Sequence, residues 1–193
     1  MAGLVPATHT YRFLRIYLDA RCLWVPGTSP GMTIVERGDR MTEIAEGSKA
    51  PDFHLDTPEG PTKLADFAGK TLVLYFYPKD DTTGCTNEAK AFSELSPEFA
   101  KAGAAVLGVS KDSIASHRKF AGKYGLTIRL GSDPTGAVVE RYGSWVEKSL
   151  YGRKYMGIER STFLIHDGVI RKIWRKVKVA GHAQAVLESA RAL

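Results

Sequence analysis

TLVLYFYPKDDTTGCT, residues 71–86, changes character halfway along its length. Its first seven residues, Thr71 to Tyr77, are β-formers and are apolar at odd and even positions alike. A strand with one wet face alternates, whereas a strand that does not alternate is covered on both faces, as in the centre of a layered sheet. The polar, glycine-containing loop that follows is short, and Ala89, Phe92 and Leu95 then recur at helical spacing. The spacing predicts a helix from about Cys85. Cys85 therefore falls at or near a helix N-terminus, where free backbone N–H groups and the macrodipole favour an anion. The thiolate is the nucleophilic form of cysteine, so this position makes Cys85 a candidate nucleophile.

Working outward, Ala104 to Val109 reads as a second buried strand, and Ser113 to Tyr124 as a helix closed by Gly125. A short strand near Ile128–Leu130 and a short helix over Thr135–Tyr142 follow. Ser161–Ile165 and Val169–Arg175 read as strands joined at Asp167-Gly168, a hairpin signal. An amphipathic helix runs from His182 to Ala192. Upstream, Phe53–Leu55 is a short strand and Pro58–Pro61 a turn, while Ser96-Pro97-Glu98 kinks or restarts the first helix. The alternation is that of an α/β fold, βαβ units followed by a hairpin and a last helix.

The chain of 193 residues suits one domain with a tail, and 44% apolar and 25% charged residues are ordinary for a globular protein. Its net charge of +6 is spread out, and the basic run Arg171–Lys178 alternates with Ile173, Trp174 and Val177. That pattern is a solvated strand face, so no nucleic-acid partner is expected. Two cysteines (Cys22 and Cys85) make no disulfide framework, and five histidines without ligand spacing leave no metal site and no cofactor expected. No apolar run reaches the roughly 18 residues of a membrane span. A cytoplasmic, reducing compartment is expected. Residues 1–40 stand apart: an apolar, arginine-dotted segment ends in Pro26-Gly-Thr-Ser-Pro-Gly31, and regular patterning starts after Met41. We read 1–40 as an N-terminal extension outside the mature fold, with an organelle address as its alternative, and 41–193 as the domain.

Pro78, Thr82 and Cys85 form a Pro-X-X-X-Thr-X-X-Cys pattern inside YFYPKDDTTGCTNEA, residues 75–89. With Gly47-Ser-Lys-Ala-Pro-Asp-Phe53 before it and Gly157-Ile-Glu-Arg-Ser-Thr-Phe-Leu-Ile165 after it, the chain resembles the peroxiredoxins. The closest likeness is to the bacterioferritin-comigratory-protein (PrxQ) subfamily. The resemblance implies a thioredoxin-like fold, a central mixed sheet with helices on both faces. It implies a thiol-dependent peroxidase acting on hydrogen peroxide and organic hydroperoxides. Cys85 would be the peroxidatic nucleophile, becoming a sulfenic acid. Thr82 would orient thiolate and peroxide, Arg160 would stabilise the thiolate and bind peroxide oxygen, and Pro78 would shield the sulfur from water. Glu88, one turn after Cys85, either orients Arg160 or the loop or complements the helix N-terminus. Lys79, Asp80 and Asp81 read as exposed loop charges, and Tyr77 and Trp145 as core aromatics with pocket lining as the alternative.

One departure bears on the cycle. Many members of that subfamily carry a resolving cysteine five residues after the first, where this chain has Lys90, and Ser113–Tyr124 contains none. A one-cysteine cycle is expected, with thioredoxin or glutathione/glutaredoxin as reductant; a bridge to Cys22 is the alternative. A monomer or weak homodimer is expected. The rival functions are a peroxide sensor or relay using the same cysteine, and a non-catalytic binding module.

Overall fold

The computed structural model describes residues 44–150 and 152–193. The extension over 1–40, with Cys22, lies outside the described residues. In chain order the elements are β1 (His54–Thr57), β2 (Gly60–Lys63), β3 (Thr71–Phe76), α1 (Thr83–Glu94), α2 (Ser96–Lys101), β4 (Ala104–Ser110) and α3 (Ile114–Tyr124). They continue with β5 (Arg129–Ser132), α4 (Ala137–Arg141), β6 (Trp145–Leu150), β7 (Arg153–Ile158), β8 (Ser161–His166), β9 (Val169–Trp174) and α5 (His182–Arg191).

β3 is central, and all six of its residues are buried. It pairs parallel with β4 and antiparallel with β8 in a seven-stranded mixed sheet of order β2-β1-β5-β4-β3-β8-β9. The pleat splits its side chains between two cores. Val73, Tyr75 and Tyr77 pack with Phe92, Phe99, Phe120 and Leu187 under α1, α2, α3 and α5. Leu72, Leu74 and Phe76 pack on the other side with Phe53, Val139, Tyr142 and Phe163, beneath α4 and a 3₁₀ turn at Leu64–Phe67. This is an α/β fold with helices on both faces. Each such side chain contributes about 1.5–3 kcal/mol when taken out of water, which is why the non-alternating run takes the centre.

Helix α3 is closed by Gly125 as expected, at φ +62° with its N–H on the Ala121 carbonyl, and Ser113, just before its first residue, caps it by accepting from the Ser116 N–H. Three features differ from expectation. The Pro58–Pro61 turn extends into a hairpin, because Pro61 lies in β2 at the sheet edge, where a missing N–H breaks no ladder. Helix α1 starts at Thr83, two residues earlier than its apolar spacing shows, since its first turn is anchored by the loop rather than by apolar contacts. The third is a separate two-stranded ribbon of β6 and β7 over residues 145–158. Residues 153–156 of β7 are all exposed, so no burial pattern marks it as a strand. The ribbon delivers Arg160, two residues beyond its end.

Candidate active site

Thr82 holds the N-cap position of α1, with extended φ/ψ of −95° and 149°, and its carbonyl accepts the first helical bond from the Thr86 N–H at 2.8 Å. Cys85 is thus the third helical residue. Its side chain is 2% exposed, and it is the free cysteine of the described residues. The helix N-terminus supplies partial positive charge.

Arg160 supplies a full one. It enters between β7 and β8, and Nη2 donates to Cys85 Sγ at 3.3 Å while Nη1 donates to Glu88 Oε2. Its carbonyl, in turn, accepts the Val177 N–H at 3.0 Å. The fork of donors lets one guanidinium hold both partners in a fixed plane. Room for it is created at Gly84, where a Cβ would lie 3.2 Å from Arg160 Nη2.

Burial pushes the Glu88 carboxyl up to about 7, against the opposing pull of Arg160. Burial also works against the Arg160 charge, but Glu88 and the Cys85 sulfur outweigh it and hold the guanidinium above its ordinary range. The attraction in the pair is therefore real on both sides, and only for the nearly sealed Glu88 does desolvation exceed it. Glu88 Oε1 and the Tyr75 hydroxyl are buried without hydrogen-bond partners. Tyr75 titrates well above its ordinary value because of burial, then because of the negative charge of Glu88 and of Cys85 nearby.

Thr82 is exposed, with its hydroxyl donating to the Lys79 carbonyl at 3.2 Å rather than capping the helix. Pro78, just past Tyr77, is exposed too. Lys90 is exposed, with its ammonium 5.0 Å above the Tyr124 ring. Of the two aromatics, Trp145 packs with the core on the opposite face of the sheet, under the Lys111 ammonium at 4.4 Å. Tyr77 shares the face of Cys85, but its hydroxyl turns to Asp80. Lys79 and Asp81 are exposed as expected, whereas Asp80 is not: it is 7% exposed and fully hydrogen-bonded. Beside the nearby Tyr77, its partners Ser116 and His117 are more than 35 residues away in sequence, so local composition could not reveal the burial.

Two groups that feel the charge of the sulfur carry no signal along the chain. Tyr75 was hidden in an all-apolar run. Lys148 was hidden in the unrecognised ribbon; its ammonium donates to the Ile158 carbonyl at 2.5 Å, and burial, with Arg160 adding to it, pulls its pKa down. Among the described residues no cluster of three or more His, Cys, Asp or Glu could hold a metal ion, and no helix is long and apolar enough to cross a membrane. The sulfur therefore lies in the first turn of a helix with a fixed cation 3.3 Å away. The helix N–H groups and that cation can take up negative charge developing on an oxygen brought against it.

The AhpC/TSA family model matches residues 47–173. The chain belongs to the AhpC/TSA family of peroxiredoxins. Within it, the chain is 52% identical to peroxiredoxin Bcp of Xanthomonas campestris over 132 residues, covering 68% of this chain and 82% of the relative. The crystal structure of a cysteine-to-serine variant of Xylella fastidiosa PrxQ superposes with a TM-score of 0.74 at 39% identity, covering 78% of this chain and 98% of that one. A structure of the X. campestris bacterioferritin comigratory protein, described for its alkyl peroxide reduction with trapped intermediate and ligand, superposes at 0.69 and 48% identity, covering 72% and 90%. This peroxiredoxin is thus a thiol-dependent peroxidase of the Bcp/PrxQ branch, on a thioredoxin-like fold, working through a peroxidatic cysteine.

Proposed function

We propose that Cys85 is the peroxidatic nucleophile, and that hydrogen peroxide and organic hydroperoxides are its substrates. The observation that carries this reading is the Arg160 Nη2 to Cys85 Sγ contact of 3.3 Å at the N-terminal turn of α1. The thiolate attacks the terminal oxygen of RO–OH: an S–O bond forms, the O–O bond breaks, and RO⁻ leaves to take up a proton as ROH. Arg160 and the helix N–H groups stabilise charge on both oxygens. Pro78 shields the sulfur at the mouth of the site, and Thr82 orients the substrate after its hydroxyl leaves the Lys79 carbonyl. Glu88 holds the Arg160 fork in plane. The alkyl peroxide activity of the X. campestris relative supports the organic substrates.

The sulfenic acid is restored by an external thiol, which attacks sulfur, expels water and leaves a mixed disulfide that a second thiol reduces. Thioredoxin and glutathione with glutaredoxin are the reductants we infer, acting in the cytoplasm on a monomer or weak homodimer. A lysine at position 90 and the lack of cysteine in Ser113–Tyr124 support a one-cysteine cycle.

Mass spectrometry of peroxide-treated protein, with turnover assays, tests this. We expect oxidation at Cys85, many turnovers per chain with added thiol, and none in Cys85→Ser. Oxidation without turnover would make the protein a stoichiometric sensor, and a Cys22–Cys85 bridge would replace the external-thiol cycle.

A further inference from the structure

We propose that Asp80 and His117 are a positioning pair that clamps the loop preceding Cys85 against α3 and thereby sets how fast Cys85 reacts with peroxide. The proposal rests on Cys85 being the nucleophile.

An ionised carboxylate is costly to bury unless it is paired and hydrogen-bonded. Asp80, between two exposed neighbours, is buried with its oxygens occupied. Oδ1 accepts from the Tyr77 hydroxyl at 2.7 Å; Oδ2 accepts from the Ser116 hydroxyl at 2.7 Å and from His117 Nδ1 at 2.9 Å. Burial alone would raise its pKa, but the bonds from His117, Ser116 and Tyr77 outweigh that and hold it below the usual carboxylate range. A carboxylate only accepts, so Nδ1 is the nitrogen that carries the proton, and Nε2 is left buried and without a partner. The polar contacts of the imidazole are thus confined to Nδ1, which also lies 3.2 Å from Asp80 Oδ1 and 3.4 Å from the Tyr77 hydroxyl.

The backbone is tied as well. The Asp80 N–H donates to Asp112 Oδ2 at 2.8 Å, and that oxygen also accepts the Ser110 hydroxyl at 2.8 Å. One residue later the chain reverses through Asp81 at φ +56°, a left-handed conformation that costs a non-glycine residue about 1 kcal/mol or more. Lys123 and Tyr124, also on α3, hold the Asp81 carboxylate at 2.7 and 2.5 Å. The next residue is Thr82, the cap of α1, and Cys85 lies three further on. The grip of α3 on the loop therefore fixes where the first turn of α1 begins. Tolerance there is small, since even a Cβ added at Gly84 would lie 3.2 Å from Arg160 Nη2. A displacement of about 1 Å at such a site can cost a hundredfold in rate.

The test compares His117→Leu, which removes the donor, with His117→Asn, whose amide can donate from a similar position. Stopped-flow oxidation by hydrogen peroxide is measured in single turnover, with mass identification of the Cys85 sulfenic acid, hydrogen exchange over residues 79–86 and thermal melting. We expect His117→Leu to slow oxidation at least about tenfold with faster exchange, and His117→Asn to recover to within about threefold of the parent. Peroxide reaction at the parental rate in His117→Leu overturns the proposal. Equal slowing and equal loss of Tm in both variants overturns it too, because the role is then only structural. Should His117→Leu fail to fold, Ser116→Ala and Asp80→Asn carry the same comparison, and parental rates in both overturn the pair. Absence of Cys85 oxidation in the parent protein would instead refute the nucleophile assignment.

Discussion

Glu88 carries the most information per atom in the site. It is 2% exposed, and among the described residues one of its oxygens has no hydrogen-bond partner and its ion pair is with the arginine that touches Cys85. Its folded pKa of about 7 lies above the ordinary 4.5 because burial outweighs Arg160. Between those values the folded protein keeps a proton that the unfolded chain has released. The stabilising contribution is therefore full below about pH 4.5 and is lost as the pH rises through about 7. Its size is at most about 3 kcal/mol. Glu88→Gln cannot ionise and should lose this component, so urea unfolding of parent and variant should diverge steadily across that window. Parallel stability curves would remove Glu88 from the balance. The residue types here were readable in advance: a cysteine at a helix start, a threonine three residues before it, a late arginine. The burial of Asp80 was not, because two of its three side-chain donors, Ser116 and His117, come from another element.

At the scale of elements, the site depends on α1 sitting flush on β3, and that contact is made by Tyr75. Its ring stacks on Tyr77 at 5.6 Å and on Phe92 of α1 at 4.8 Å. The register sets Tyr75 beside Gly108 on β4, where an added Cβ would lie 2.5 Å from the ring and its hydroxyl. With aromatic rings packed on it, Tyr75 has nowhere cheap to go. Gly108→Ala should destabilise the fold by roughly 1–3 kcal/mol, the usual cost of overpacking, measured as a lowered urea midpoint with unchanged slope. A midpoint within error of the parent would show that the ring can move. The unbroken apolar runs of β3 and β4 and the helical periods of α3 and α5 were legible in the chain. The β6–β7 ribbon was not, since the strand that faces solvent over residues 153–156 has no burial period to read.

For the whole molecule, the described domain contains Cys85, Arg160, Glu88 and Thr82 together, and both cores close within residues 44–193. A chain lacking residues 1–40 should keep peroxidase turnover within about twofold of the parent, because the residues proposed for the site all lie within 44–193. A large loss in that truncation, rescued by restoring Cys22, would give the extension a resolving role. What the sequence by itself determined was local: a strand covered on both faces, a loop that starts a helix, a cysteine in its first turn, and a chain order shared with the peroxiredoxins. Each of these depends on side-chain period and turn chemistry within a few residues. The tertiary structure alone decided that Arg160 reaches Cys85 across 75 residues of chain and Glu88 across 72, and that α3 grips Asp80. Those contacts are made by the packing of separate elements on one sheet, and no period along the chain records which side chains will meet there.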